Sequence, residues 1–210
     1  MWKLTELLAQ ELTARGITVI KTRSNQATDL ALTSRGKKAK GCDLFLSMHS
    51  NATSVESVDY PVSYVPLNGT GTAIGQKLSD IVADVMGTVQ KGRTATRKGS
   101  GGADYYGVIR GAVAVGVPGV ILEHSFHTHS RSTAWLLEDE NLHRLAAAEA
   151  ALLAEYYGME EKKLRYELLK DIQDKILRGK GGCGEETIID LSEDALRLLV
   201  ILDRAGLFPS

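Results

Sequence analysis

The sequence predicts an α/β protein: a mostly parallel twisted sheet with helices on both faces, plus a small C-terminal helical appendage. Three observations lead there. Short runs of strand length alternate with longer stretches of helical periodicity, the order expected of crossover units. Two of the runs, Leu44–Met48 and Val117–Leu122, are nearly continuous in apolar residues, as strands buried on both faces are. From Glu160 the character changes, with a fully charged stretch and then leucine-rich helical periods. The chain therefore divides into a domain over residues 1–158 and a C-terminal helical segment over 159–210.

Residues 3–15 place Leu4, Leu7, Leu8 and Leu12 on one helical face, and Gly16 supplies a left-handed stop. Ile17 to Thr22 is β-branched and reads as a strand. A polar loop over Ser24 to Asp29 leads into a helix over Leu30 to Lys40, whose lysines and Arg35 read as a solvated face. The strand Asp43–Ala52 follows. Val58 to Pro66 is a further strand, with Pro61 and Pro66 putting it at an edge or confining its pairing. The Asn68–Gly71 turn precedes a helix over Thr72 to Val89, with Ile74, Leu78, Ile81, Val82 and Val85 on its apolar side. Lys91 to Gly102 is glycine-rich and basic, with no phosphate-binding or dinucleotide pattern, and reads as a mobile loop. Arg93 and Arg97 in it are candidates for contact with an acidic ligand. Tyr105 to Arg110 reads as a strand, Val117 to His129 as the second buried strand with its exit, and Ser132–Leu137 and Glu140–Tyr157 as helices. In the C-terminal segment, Gly179–Gly184 is a break and Ser192 an N-cap. Its later leucines call for a docking partner: its own domain, a second copy or an outside ligand.

Composition narrows the function classes. The 210 residues carry a net charge of −1, so nothing argues for nucleic acid or an acidic surface as partner. No apolar run is long enough to cross a membrane, and the first residues lack the pattern of a signal peptide. Synthesis in the cytoplasm is the expectation. The two cysteines, Cys42 and Cys183, lack metal-type spacing and read as free thiols. No G-x-S-x-G elbow is present, which weighs against the commonest α/β hydrolases.

The chemistry-bearing residues stand at the ends of the two apolar strands. His49 follows Leu44–Met48, at the carboxyl end where open α/β sheets place their ligands. Glu123 stands within the second strand, and a carboxylate in an apolar strand is costly unless paired or used. Two structural alternatives stay open: His49 as a hydrogen-bonded strand end, and Glu123 as a carboxylate paired with an arginine such as Arg110.

Ser47, Met48, His49, Asn51 and Ala52, then Pro118, Ile121, Leu122, Glu123 and Phe126, with Thr22, Arg23, Leu32 and Arg35 before them, match three motifs in order. In these the chain resembles the zinc-dependent N-acetylmuramoyl-L-alanine amidases, over roughly residues 1–158. The resemblance implies a peptidoglycan hydrolase that cuts the amide between N-acetylmuramic acid and L-alanine with zinc-activated water. His49 is then a zinc ligand and Glu123 the general acid/base. The setting is that of an endolysin or autolysin, acting at the cell wall after release. The family also takes a histidine from an opening D-x-G-H-G strand and a glutamate before the first helix; neither is found here, so two of three zinc ligands are lacking. The resemblance therefore also implies a chain short of its opening strand, with weak zinc affinity and a sheet that a second copy could complete as a homodimer. The alternative is a catalytically impaired relative that binds the wall. His124 is expected on the face opposite Glu123, with His127 and His129 beyond the strand, His143 on a helix surface, and Glu6 and Glu11 solvated.

Overall fold

The computed structural model describes residues 1–159, and the predicted C-terminal elements lie outside them. Ten elements follow in chain order: α1 (Trp2–Ala14), α2 (Leu32–Lys37), β1 (Phe45–Asn51), β2 (Val62–Tyr64), α3 (Thr72–Met86), β3 (Arg93–Ala95), α4 (Gly107–Val113), β4 (Gly119–Phe126), α5 (Ser130–Leu137) and α6 (Asp139–Tyr156). The strands form one open sheet in the order β1-β4-β2-β3. The β1–β4 and β2–β3 ladders are parallel, and β2 runs antiparallel to β4. The α/β class holds, with the sheet mixed at its centre.

Helices cover both faces. On one face Leu4, Leu8, Leu78, Leu122 and Leu145 join the larger core, drawn from α1, α3, α6 and β4. On the other, Phe45 and Ile121 meet Val108, Ile109 and Ala112 of α4. Alternation along each strand assigns the residues: Leu122 faces the first core and Ile121 the second. The glycine stops act as the sequence implies. Gly16 adopts φ +78° after α1, and Gly87 adopts φ +62° and closes α3 two residues before the predicted end.

Five local readings change. Ile17–Thr22 pairs with no strand among the described residues, and Ile20 is exposed; β-branched residues favour a ladder only where a neighbour offers one. Lys21 instead bonds Glu6, and Lys38 donates to the Thr22 carbonyl. Strand β1 is an edge strand, half-buried because it has a partner on one side only. Strand β2 lies inside the sheet, and Pro61 and Pro66 bracket it to three residues. Part of the basic stretch is the edge strand β3, and the region read as the strand Tyr105–Arg110 turns into α4 from Gly107.

That last change has a steric cause. Helices α2 and α4 touch backbone to backbone: a Cβ on Gly36 would stand 2.0 Å from the Val108 carbonyl oxygen, and one on Gly111 2.2 Å from that of Thr33. Only glycine fits, and the neighbours are backbone atoms that cannot swing away. Gly36→Ala should therefore cost roughly 3 kcal/mol, the upper end for overpacking. Denaturant unfolding checks this, and a loss within ordinary surface variation would contradict the packing.

Candidate active site

The β1–β4 ladder brings the two predicted site residues together. Phe45 pairs with Gly119, and the register runs on to His49 opposite Glu123. Register partners in a parallel ladder project from the same face. His49 and Glu123 thus stand side by side at the carboxyl rim, above the Phe45–Ile121 core. After them the ladder shifts: Asn51 pairs with Phe126, so β4 carries an extra residue. Ser125, at φ +58°, is the non-glycine residue that takes the left-handed conformation there.

Glu123 is half-buried, and its Oε2 is buried with no hydrogen-bond partner among the described residues. Burial pushes its pKa above the usual carboxylate range, and the charges of His124 and His127 offset part of the rise. The alternative pairing with Arg110 is not made, because that guanidinium donates to the carbonyls of Asp104 and Tyr105 at 2.7 and 2.8 Å. His49 Nε2 lies 3.1 Å from Ser47 Oγ. Its ring reaches solvent, yet the protein packed around it is the main cause of a lowered pKa; His124, Arg35, the amino terminus and Arg23 add to it. The imidazole is held neutral, with a lone pair to offer.

The remaining histidines do other work. His124 points to the opposite face, as alternation implies, but it is a core residue. Its Nδ1 donates to the His49 carbonyl at 2.9 Å, and its Nε2 lies 2.7 Å from Glu149 Oε1. Since Nδ1 must carry a proton to bond a carbonyl, one further proton is shared between Nε2 and Glu149. His127 Nδ1 lies 3.2 Å from both the hydroxyl and the carbonyl oxygen of Ser50. His129 caps α5, its ring accepting from the Ser132 amide. His143 is exposed on α6, and Glu11 pairs with Arg15. Glu6 departs from the solvated reading in part: it pairs with Lys21, while its Oε1 is buried.

Two buried acids escaped the sequence reading. Glu149 had one signal, a charge on the apolar side of an alanine-rich helix. Asp59 had none: read at the start of the Val58–Pro66 strand, it lies in the loop before β2. Asp59 Oδ1 accepts from Ser125 Oγ at 2.5 Å and Ser132 Oγ at 2.6 Å, and Oδ2 accepts from the Val89 amide at 3.0 Å. Burial raises its pKa more than any single contact lowers it, but the three hydrogen bonds and His129 together hold the carboxyl below its usual range. This network anchors the bulge directly after Glu123.

Among the described residues, no three histidine, cysteine, aspartate or glutamate side chains gather closely enough to hold a metal ion. A catalytic zinc takes three protein ligands and leaves a position open for water. One imidazole beside a carboxylate does not meet that requirement, so residues 1–159 alone do not fit a resident zinc.

Asp59→Asn tests the anchor. An amide cannot accept from both serines and from the Val89 amide at once, so one buried donor is left unpaired, a loss of about 1–3 kcal/mol. Because the folded pKa of Asp59 is lowered, its contribution is present above the unfolded carboxyl pKa and lost as pH falls through the folded value. The difference between wild type and variant should therefore be full at pH 7 and shrink under acid, as melting curves across pH would show.

Comparison with known proteins places the family and the fold. The family model described as N-acetylmuramoyl-L-alanine amidase matches residues 1–155. The catalytic domain of CwlV, an N-acetylmuramoyl-L-alanine amidase from Bacillus (Paenibacillus) polymyxa var. colistinus, superposes with a TM-score of 0.58 at 20% identity, covering 74% of this chain and 82% of that one. An N-acetylmuramoyl-L-alanine amidase from Clostridium difficile 630 gives a TM-score of 0.62 at 17% identity, over 74% and 81%. Cwp6 from Clostridium difficile gives 0.61 at 19% identity; the match covers 73% of this chain and only 24% of Cwp6. No curated protein sequence matches. With two strands delivering His49 and Glu123 to one rim, and a family match spanning nearly all the described residues, the chain belongs to the N-acetylmuramoyl-L-alanine amidase family.

Proposed function

We infer that this chain is a peptidoglycan hydrolase acting on the amide bond between N-acetylmuramic acid and L-alanine. What supports the reading is the pairing of a neutral imidazole with a carboxyl of raised pKa in one register position. Amide hydrolysis needs a group that takes a proton from the attacking water and returns it to the leaving amine. Glu123, rigid on β4 and shielded enough to hold its proton longer than an ordinary carboxylate, suits that exchange. His49 presents a lone pair beside it. A bound zinc, where the family uses one, supplies an acidified water. A zinc held here would need donors besides those that residues 1–159 place at the rim. This shortfall favours a second reading, a relative that holds the wall without cutting it. An endolysin or autolysin role follows from the first reading, with release bringing the chain to the wall.

Purified cell walls separate the two. On the first reading turbidity falls and new alanine amino termini appear, and Glu123→Gln lowers the rate by about 10²–10⁴. The rate should rise with pH through an inflection above the usual carboxylate range. Co-sedimentation with walls but no new amino termini, in protein supplied with zinc, would sink the hydrolase. Metal analysis of the untagged protein adds a separate measure: zinc that binds at the rim should leave on His49→Ala.

Glu123→Gln, which lowers the rate, has an opposite effect on stability. A carboxyl whose folded pKa is raised favours folding in its protonated form, so stability is full below the unfolded pKa and is lost as pH rises through the folded one. Glu123→Gln should melt higher than wild type at pH 7, with the gain vanishing in acid. A lower melting temperature at pH 7 would show that the charge is compensated.

A further inference from the structure

The row that pairs His49 with Glu123 continues across the sheet. Glu123 is the register partner of Val62 on β2, and Val62 is the partner of Arg93 on β3. Register partners share a face, so His49, Glu123, Val62 and Arg93 form one line of side chains along the rim. The antiparallel turn of β2 makes this so, because it brings the starts of β2 and β3 to the carboxyl end of β4. Arg97, the other arginine of the basic stretch, lies beyond the far end of β3, stacked on Tyr105 with its guanidinium 3.7 Å from the ring centroid.

Arg93 is exposed, yet its position is defined: the guanidinium lies 3.6 Å from the centroid of the Tyr60 ring, which in turn packs edge-on against Phe126 at 5.0 Å. Stacking orders the side chain while leaving its N–H edge open for a planar anion. Among the described residues no carboxylate pairs with it. Of the two arginines whose charge reaches His49, Arg35 is held by Asp29, and Arg23 stacks on Trp2 at 5.3 Å, outside the strands that form the row. A stacked arginine without a counter-ion, in line with the reacting pair, is equipped to receive a carboxylate from the ligand.

We propose that Arg93 is a substrate-binding residue that takes the free carboxylate of the acidic residue following L-alanine in the wall peptide. The proposal rests on the amidase reading above and adds a direction: the peptide runs from Glu123 over Val62 toward β3. The spans agree. Two strand spacings put the Glu123 and Arg93 backbones about 10 Å apart. Two residues of extended peptide reach about 7 Å from the scissile nitrogen, and the arginine side chain covers the remainder.

The test uses two probes that differ by one charge, N-acetylmuramoyl-L-alanyl-D-isoglutamate and its D-isoglutamine amide, titrated by calorimetry into the full chain carrying Glu123→Gln so that neither is cut. The acid should bind roughly tenfold tighter than the amide, the scale of one charge-assisted hydrogen bond. Adding Arg93→Gln should abolish that preference while leaving the affinity for the amide unchanged. Measurable but equal binding of the two probes, or a preference that survives Arg93→Gln, overturns the carboxylate site and leaves the amidase reading standing. No binding of either probe overturns both.

Discussion

The rim exists because two strands of distant sequence run parallel in one register. Phe45 meets Gly119, and four residues later His49 meets Glu123. A slip of one residue in this ladder would send Glu123 to the opposite face, into the core where Leu122 and His124 lie. What prevents the slip is the apolar pattern itself: Phe45 and Ile121 must face α4, while Val120 and Leu122 must face α3 and α6. The hydrophobic sorting of the two faces thus fixes the placement of the polar pair.

Below the rim, buried polar groups finish what the ladder begins. His124 reaches from β4 to the backbone of His49 and, through the same ring, to Glu149 on α6. Rim, sheet and helix are joined in one line of hydrogen bonds crossing the sheet. The Asp59 network does the same on the loop side, where one carboxylate gathers donors from β4, α5 and the turn after α3. These groups are expensive to bury singly and gain from one another's hydrogen bonds, although Glu149 Oε2 is left without a partner among the described residues.

The parts of this arrangement that the sequence shows are those governed by local pattern. The Leu44–Met48 and Val117–Leu122 runs, the apolar side of α3 and the glycine that ends α1 could each be read within a dozen residues. So could the candidate pair, because a histidine and a glutamate are conspicuous at the ends of apolar strands. Where partners decide, the reading failed. Ile17–Thr22 has the composition of a strand and, among the described residues, no neighbour to pair with. Tyr105–Arg110 has the composition of a strand too, but Gly107 and Gly111 let a helix approach α2 backbone to backbone. The interior place of β2 depends on an antiparallel turn that no local signal announces. The roles of Asp59 and Glu149 depend on contacts to residues 66 and 25 positions away.

Ser125 carries the last consequence. A serine at φ +58° gives up about 1–2 kcal/mol that glycine would keep. The hydroxyl that glycine lacks is the one Asp59 holds. Neither position is therefore free on its own: relaxing the backbone discards the tether, and discarding the carboxylate leaves the contorted serine unsupported. Natural relatives that change one of these two residues are expected to have changed the other, so the pair forms a unit of inheritance beside the rim.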